Sequence, residues 1–162
     1  MFKAHGTNNR TLNSILIIAK KNGKIYKNLH FGEKYERSKN IYRRCLLRKS
    51  GKGGWAAILV YGNKEKELVG GCEETTNNRM ELSAVIEALK ALKEPCEVYL
   101  TTDSKYVCDS ITKGWVYNWE KNNWKKADKK PALNVDLWKA LLSLLEKHKV
   151  TFNWVKGHNF CV

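Results

Sequence analysis

Residues 96–113 read CEVYLTTDSKYVCDSITK. In the first six, apolar residues alternate with polar ones and put Val98 and Leu100 on one face, the period of a half-buried strand. Cys96–Thr101 is therefore a strand, ending near Asp103, and Ser104–Lys113 has the length and spacing of a short helix. A strand that passes through an acid into a helix is the unit of an α/β fold. Asp103 has two readings at that junction. It can cap the following helix, or it can be a ligand at the C-terminal end of a sheet strand, where open α/β sheets place their ligands.

The same logic extends in both directions. Upstream, Arg79–Lys93 carries Val85, Ala88, Leu89 and Leu92 at helical spacing, and Pro95 stops it. Before it, Trp55–Tyr61 reads as a buried strand, Gly62-Asn63-Lys64 as a turn, Glu67–Cys72 as the returning strand and Glu73–Asn78 as polar linker. Downstream, Leu133–His148 is a helix with Leu137, Ala140, Leu141, Leu144 and Leu145 on its apolar face, and Val150–Val155 is a last strand. Antiparallel strands followed by strands alternating with helices imply a mixed sheet packed by helices. Glu81 shares the buried face of its helix with Val85 and Ala88. A carboxylate there is costly unless something pairs with it. It is either part of a capping box, Asn78-x-x-Glu81, or a functional acid.

Lys and Arg total 30 against 16 Asp and Glu, a net charge of +14. The excess is uneven. Residues 1–54 hold 14 basic and 2 acidic residues, whereas residues 55–162 hold 16 and 14. Residues 1–39 have no acid before Glu33 and read as a basic extension outside the fold, with a mitochondrial presequence as an alternative. Within it, Ser14–Ala19 and Lys24–Phe31 have strand character around the turn signal Asn22-Gly23. Residues 40–162 form the domain. No apolar run approaches the ~20 residues of a membrane span. The five cysteines show no CxxC pair and no metal-ligand spacing, so they read as plain thiols of a reducing compartment. Between Lys113 and Lys130, Trp115, Trp119 and Trp124 alternate with six lysines, Lys125, Lys126, Lys129 and Lys130 among them. Lysines can follow phosphates while aromatic faces pack on sugars or bases. The same tryptophans also fit a helix whose apolar face is buried.

These signals occur together in the order found in type 1 ribonucleases H. Thr75-Thr76-Asn77-Asn78-Arg79-Met80-Glu81-Leu82 resembles that family's TTNNRMEL helix start, and Thr102–Val107 resembles its TDSxYV strand end. Gly114–Trp138 resembles its basic protrusion, and Trp154-Val155-Lys156-Gly157-His158 the strand leading to a histidine loop. The resemblance implies a ribonuclease H-like α/β fold with a five-stranded mixed sheet. It implies hydrolysis of the RNA strand of RNA/DNA hybrids by a cytoplasmic monomer with no membrane partner. Four carboxylates would hold two Mg²⁺ ions, or Mn²⁺ in their place. Glu81 and Asp103 would be two of these ligands and catalytic residues. His158 would assist proton transfer or product release. Asn77, Asn78 and Lys105 would touch the hybrid backbone, Thr76 and Asn134 would hold a phosphate, and Trp115, Trp119, Lys125, Lys126, Lys129 and Lys130 would contact the nucleic acid.

Two departures from the family pattern stand out. The family's first aspartate lies in a strand reading Ile-Tyr-Thr-Asp-Gly-Ala-Cys-Ser-Gly-Asn-Pro-Gly. Here Ile41-Tyr42 runs into Arg43-Arg44-Cys45-Leu46-Leu47-Arg48-Lys49-Ser50-Gly51, without an aspartate. If Asp-Gly-Ala-Cys-Ser-Gly-Asn-Pro-Gly is written as GAC GGT GCT TGC TCC GGA AAT CCG GGC and read from its third base, the product is Arg-Cys-Leu-Leu-Arg-Lys-Ser-Gly, which is Arg44–Gly51. The hypothesis is that this window is translated out of frame. The chain also ends at Val162, before the family's fourth carboxylate and closing helix. The expectation is therefore an altered first strand, a missing last helix, weakened Mg²⁺ binding and little or no nuclease activity. A hybrid-binding remnant is the alternative. A charged central strand would also lower stability.

Overall fold

The computed structural model describes residues 14–20, 53–61, 64–72 and 74–156. Nine elements follow in chain order: β1 (Ser14–Lys20), β2 (Gly53–Tyr61), β3 (Lys64–Cys72), α1 (Asn77–Lys90), β4 (Glu97–Thr102), α2 (Lys105–Thr112), α3 (Trp115–Lys121), α4 (Val135–Lys147) and β5 (Lys149–Trp154). The described strands form one sheet in the order β3-β2-β1-β4-β5. β2 is antiparallel to β3 and parallel to β1. β4 is antiparallel to β1 and parallel to β5. The sheet is mixed, as the alternation of strand and helix signals implies.

Burial explains the order. β2 is apolar throughout, and its residues from Gly54 to Val60 are all buried, as expected for an interior strand. β3 begins Lys64-Glu65-Lys66-Glu67, all exposed, and charge of this kind keeps an edge strand from pairing with other chains. Its Gly70 lies against the Trp55 indole, where an added Cβ would sit 2.6 Å from ring carbons, so only glycine lets the ring lie flat on the edge strand.

The centre of the sheet corrects the expectation for residues 1–39. Ser14–Lys20, assigned to an extension outside the fold, is the strand between β2 and β4. Ile17 pairs with both Leu59 and Leu100, and all three are buried in one core. The strand character read at Ser14–Ala19 is therefore present, with different neighbours from the proposed hairpin. Its partner Lys24–Phe31, the altered segment 43–51 and the stretch from Gly157 lie outside the described residues. The described central strand is apolar, so charge in that strand does not account for reduced stability.

α1 starts two residues earlier than its apolar period suggests and buries Met80, Leu82, Ala84, Val85, Ile86, Ala88 and Leu89. That set is wider than a single stripe because α1 packs on both β2 and α4. Trp138 of α4 is fully buried, with Tyr106 and Trp119 edge-on to its ring at 5.5 and 6.2 Å. Gly114, with φ of +73°, makes the turn from α2 into α3 in a conformation that suits glycine.

Candidate functional site

The site is built where three helices begin beside the C-terminal end of β4. Thr101 and Thr102 close the strand and are buried. The Ser104 N–H donates to Thr102 Oγ1 at 3.0 Å, a local turn that places Asp103 between strand and helix, half-buried. β5 clamps the same corner. Val155 N–H donates to the Thr102 carbonyl at 3.0 Å, and the Trp154 indole N–H donates to the Asp103 carbonyl at 3.1 Å.

Both capping readings of the acids fail. The N-cap of α2 is Ser104, whose Oγ accepts from the Val107 N–H at 3.1 Å, so Asp103 is left just outside the helix. The N-cap of α1 is Thr76, whose hydroxyl accepts from the Arg79 N–H at 3.4 Å, so Asn78 is inside the helix and no Asn78-x-x-Glu81 box forms. Glu81 instead reaches across to α2, where its Oε2 accepts a hydrogen bond from the Ser104 hydroxyl. A carboxylate is thereby bonded to the residue next to Asp103. Burial pushes the Glu81 carboxyl above the usual range, and the Ser104 hydrogen bond works against that shift. Ser104 was not singled out in the sequence. Its signal was available, because a serine directly before a helix is a common cap.

The third helix start is α4. Asn134, its N-cap, has a left-handed φ of 57° and no side-chain capping bond. Its Oδ1 accepts from Arg79 Nη1 at 3.4 Å, and its Nδ2 donates to the Tyr106 phenol at 3.4 Å. Arg79 also donates to both Asp136 oxygens, at 3.0 and 2.6 Å. This pairing holds the Asp136 carboxyl below its ordinary range. Thr76, Asn77, Asn78 and Glu81 thus share the start of α1. Hydrogen bonds link that start to α2 through Ser104 and to α4 through Arg79 and Asn134. Lys105, first in α2, is exposed beside Asp103.

The basic protrusion divides as its two readings allowed. Trp115 is 41% exposed, with the Lys113 ammonium 5.2 Å from its ring centre. Trp119 is half-buried against Trp138 and belongs to the core side. Lys125, Lys129 and Lys130 are exposed and Lys126 is half-buried. Lys126 and Lys130 flank Asp128 at 3.9 and 3.8 Å. His158 lies outside the described residues.

Among the described residues no group of three or more His, Cys, Asp or Glu side chains gathers as a metal site. Glu81 and Asp103 are two hard-oxygen donors. That set does not fit the four-carboxylate, two-ion arrangement that the resemblance implies. Among the described residues, no helix is long and apolar enough to cross a membrane.

Comparison with known proteins places this geometry. The profile of the RNase H family matches residues 44–161. Over 108 residues the chain is 62% identical to a ribonuclease H of Rhizobium johnstonii, covering 67% of this chain and 71% of that protein. It is 63% identical over 108 residues to a ribonuclease H of Agrobacterium fabrum, covering 67% and 73%. Over 109 residues it is 60% identical to a ribonuclease H of Alcanivorax borkumensis, covering 67% and 72%. Among solved structures the fold resembles LC9-RNase H1, a type 1 RNase H with the type 2 active-site motif. The TM-score is 0.56 and identity 23%, over 92% of this chain and 65% of that one. It also resembles the PFV RNase H domain, with a TM-score of 0.54 and identity of 22%, over 91% and 81%. These two likenesses support the fold, and the family profile together with relatives of this identity supports the lineage. The chain belongs to the RNase H family and is similar to the bacterial type 1 enzymes.

Proposed function

We propose that this chain engages RNA/DNA hybrids at the junction of α1, α2 and α4, and that it hydrolyses their RNA strand weakly or not at all. RNase H family enzymes act on RNA/DNA hybrids and hydrolyse the RNA strand. The observation that carries the reading is the Glu81 carboxylate held by Ser104 beside Asp103. The Glu81 acid is half-buried, which disfavours its charge, without a capping role to explain it. Such an acid next to a second one at a sheet end is a functional arrangement.

Each residue has a defined task in this reading. Glu81 and Asp103 are the residues that would hold a divalent cation, Mg²⁺ or Mn²⁺, which would supply charge neutralisation. Thr76, Asn77, Asn78, Lys105 and Asn134 contact the backbone of the hybrid. Trp115, Lys125, Lys126, Lys129 and Lys130 form its second contact area, with Trp119 packed beneath them on Trp138, and salt weakens binding by competing for the phosphates. His158 assists proton transfer or product release. The protein works as a monomer in the cytoplasm.

Weak activity follows from the missing first aspartate. No acid occurs between residues 37 and 64, and Arg43 and Arg44 stand where the family carries its first aspartate. Mg²⁺ needs near-octahedral oxygen coordination and is reluctant to lose its waters. Without that first aspartate a divalent cation loses an oxygen donor and is held more weakly. A catalytically dead remnant that only binds hybrids is the second reading, favoured by the missing first aspartate. The test is cleavage of a labelled hybrid in Mg²⁺ and in Mn²⁺, beside hybrid binding in chelator. Binding that salt weakens, with slow or absent cleavage, is expected. Turnover at the rate of an intact relative would overturn the weak-activity reading, and failure to bind hybrid would overturn the whole assignment.

A further inference from the structure

We infer that Tyr106 and Arg79 are positioning residues that fix the Asn134 side-chain amide for contact with the nucleic-acid backbone. This deepens the proposed function and rests on it, since Asn134 is one of its contact residues.

Asn134 is a non-glycine residue at φ 57°, ψ 36°. That left-handed conformation costs about 1–2 kcal/mol for most residues, and asparagine tolerates it best. An N-cap asparagine is ordinarily extended and turns its side-chain oxygen onto its own helix. Asn134 makes no such bond. Its amide is spent elsewhere, with the oxygen facing Arg79 of α1 and the nitrogen facing Tyr106 of α2. An amide held at both ends cannot flip, because exchanging its oxygen and nitrogen would set donor against donor at Arg79.

The two holders are themselves fixed. Arg79 is clamped in a fork by both oxygens of Asp136, two residues into α4, so the guanidinium that orients Asn134 is tied to the helix that Asn134 begins. The Tyr106 phenol also accepts from the Trp138 indole at 3.0 Å, and its ring packs edge-on to that buried side chain. Asn134 Oδ1 retains a second lone pair and Nδ2 a second hydrogen. The hydrogen is the group that can donate to a phosphate or a sugar oxygen. Strain at a non-glycine residue persists where surrounding contacts over-determine it, and such positions gather at functional sites.

The test measures binding of a fluorescent RNA/DNA hybrid in chelator, so that cleavage plays no part. Folding of each variant is checked by circular dichroism. Asn134→Ala and Tyr106→Phe are each expected to weaken binding about three- to tenfold, the range of one hydrogen bond. The double variant is expected to be no weaker than Asn134→Ala alone, because Tyr106 acts only through Asn134. Trp138→Phe removes the other donor to the same phenol but leaves its bond to Asn134, so it should weaken binding less than Tyr106→Phe. Tyr106→Phe binding like the parent while Asn134→Ala weakens it would overturn the positioning role and leave the proposed function standing. Additive losses, or Trp138→Phe weakening binding as much as Tyr106→Phe, would also overturn it by making the effect structural. No loss in Asn134→Ala would remove the contact itself. A parent chain that does not bind hybrid would end both this inference and the functional reading.

Discussion

Replacing Ser104 by alanine tests the centre of the site, because one hydroxyl makes two bonds of different character. It accepts the Val107 N–H at 3.1 Å as the cap of α2, and it donates to the Glu81 carboxylate. Loss of the cap costs about 1 kcal/mol. Loss of a hydrogen bond to a charged group costs about 1.5–3 kcal/mol, and Glu81 is only half-buried, so the lower end applies. Near neutral pH the Ser104→Ala variant should therefore be destabilised by about 2–3 kcal/mol. In acid, where Glu81 is protonated, the charge-assisted share vanishes and about 1 kcal/mol should remain. The sign follows from linkage. Burial raises the folded pKa of Glu81 and the Ser104 bond lowers it, so removing the bond lifts it further. A carboxyl with a folded pKa above its unfolded one binds more protons when folded. Its contribution is fully present below the unfolded value, about 4.3, and is lost as pH rises through the folded value. The variant should lose more stability than the parent over that window. Urea unfolding followed by circular dichroism well below the unfolded pKa of about 4.3 and near pH 7, with unchanged denaturant slope, reads the difference. An equal loss at both pH values would show that the bond is indifferent to the charge on Glu81, and the electrostatic account of the site would fail.

Two further outcomes are expected. Glu81→Gln keeps an oxygen for Ser104 and removes the desolvated charge, so it should raise stability near neutral pH by ~0.5–2 kcal/mol, with the gain shrinking as pH falls. It should also abolish any stabilisation by added Mg²⁺; a lower melting temperature than the parent near pH 7 would contradict the burial argument. Sequencing the DNA across codons 35–60 should reveal base losses that displace the frame around codons 43–51, and an intact frame in independent isolates would establish Arg43–Gly51 as genuine protein.

Much of the fold was legible because its signals are periodic. α1, β4, α2, α4 and β5 lie within a few residues of their apolar patterns, since a buried face needs period 3.6 or 2 whatever surrounds it. The motif around Glu81 and Asp103 was equally plain, and the structure removes the capping alternatives that left each acid ambiguous. Ser104, Arg79 and Tyr106 were harder to see. Each makes its decisive bond to a residue 23 to 55 positions away in sequence, and no local spacing encodes such a partner. The protrusion shows the same limit. Composition could not separate Trp119, which packs on Trp138, from Trp115, which is exposed, because both fit one helical face.

The central strand marks where periodicity stops being informative. An apolar segment with period 2 presents the same side chains to the core whether it runs up or down the sheet, because alternation is unchanged on reversal. The slot between β2 and β4 asks only for residues such as Ile17 and Ala19, buried opposite Leu59 and Tyr61 on one side and Leu100 and Val98 on the other. Ser14–Lys20 meets that demand, parallel to β2 and antiparallel to β4. The stretch from Ile41 carries arginines at positions 43 and 44, and burying them would need partners of opposite charge. A carboxylate contributed from the central strand depends on which segment fills the slot and in which direction. The pair at 81 and 103 does not: it is held by α1, α2 and β5 through Ser104, Trp154 and Val155. These bonds fix the Glu81 carboxylate and the Asp103 backbone without any contribution from the central strand.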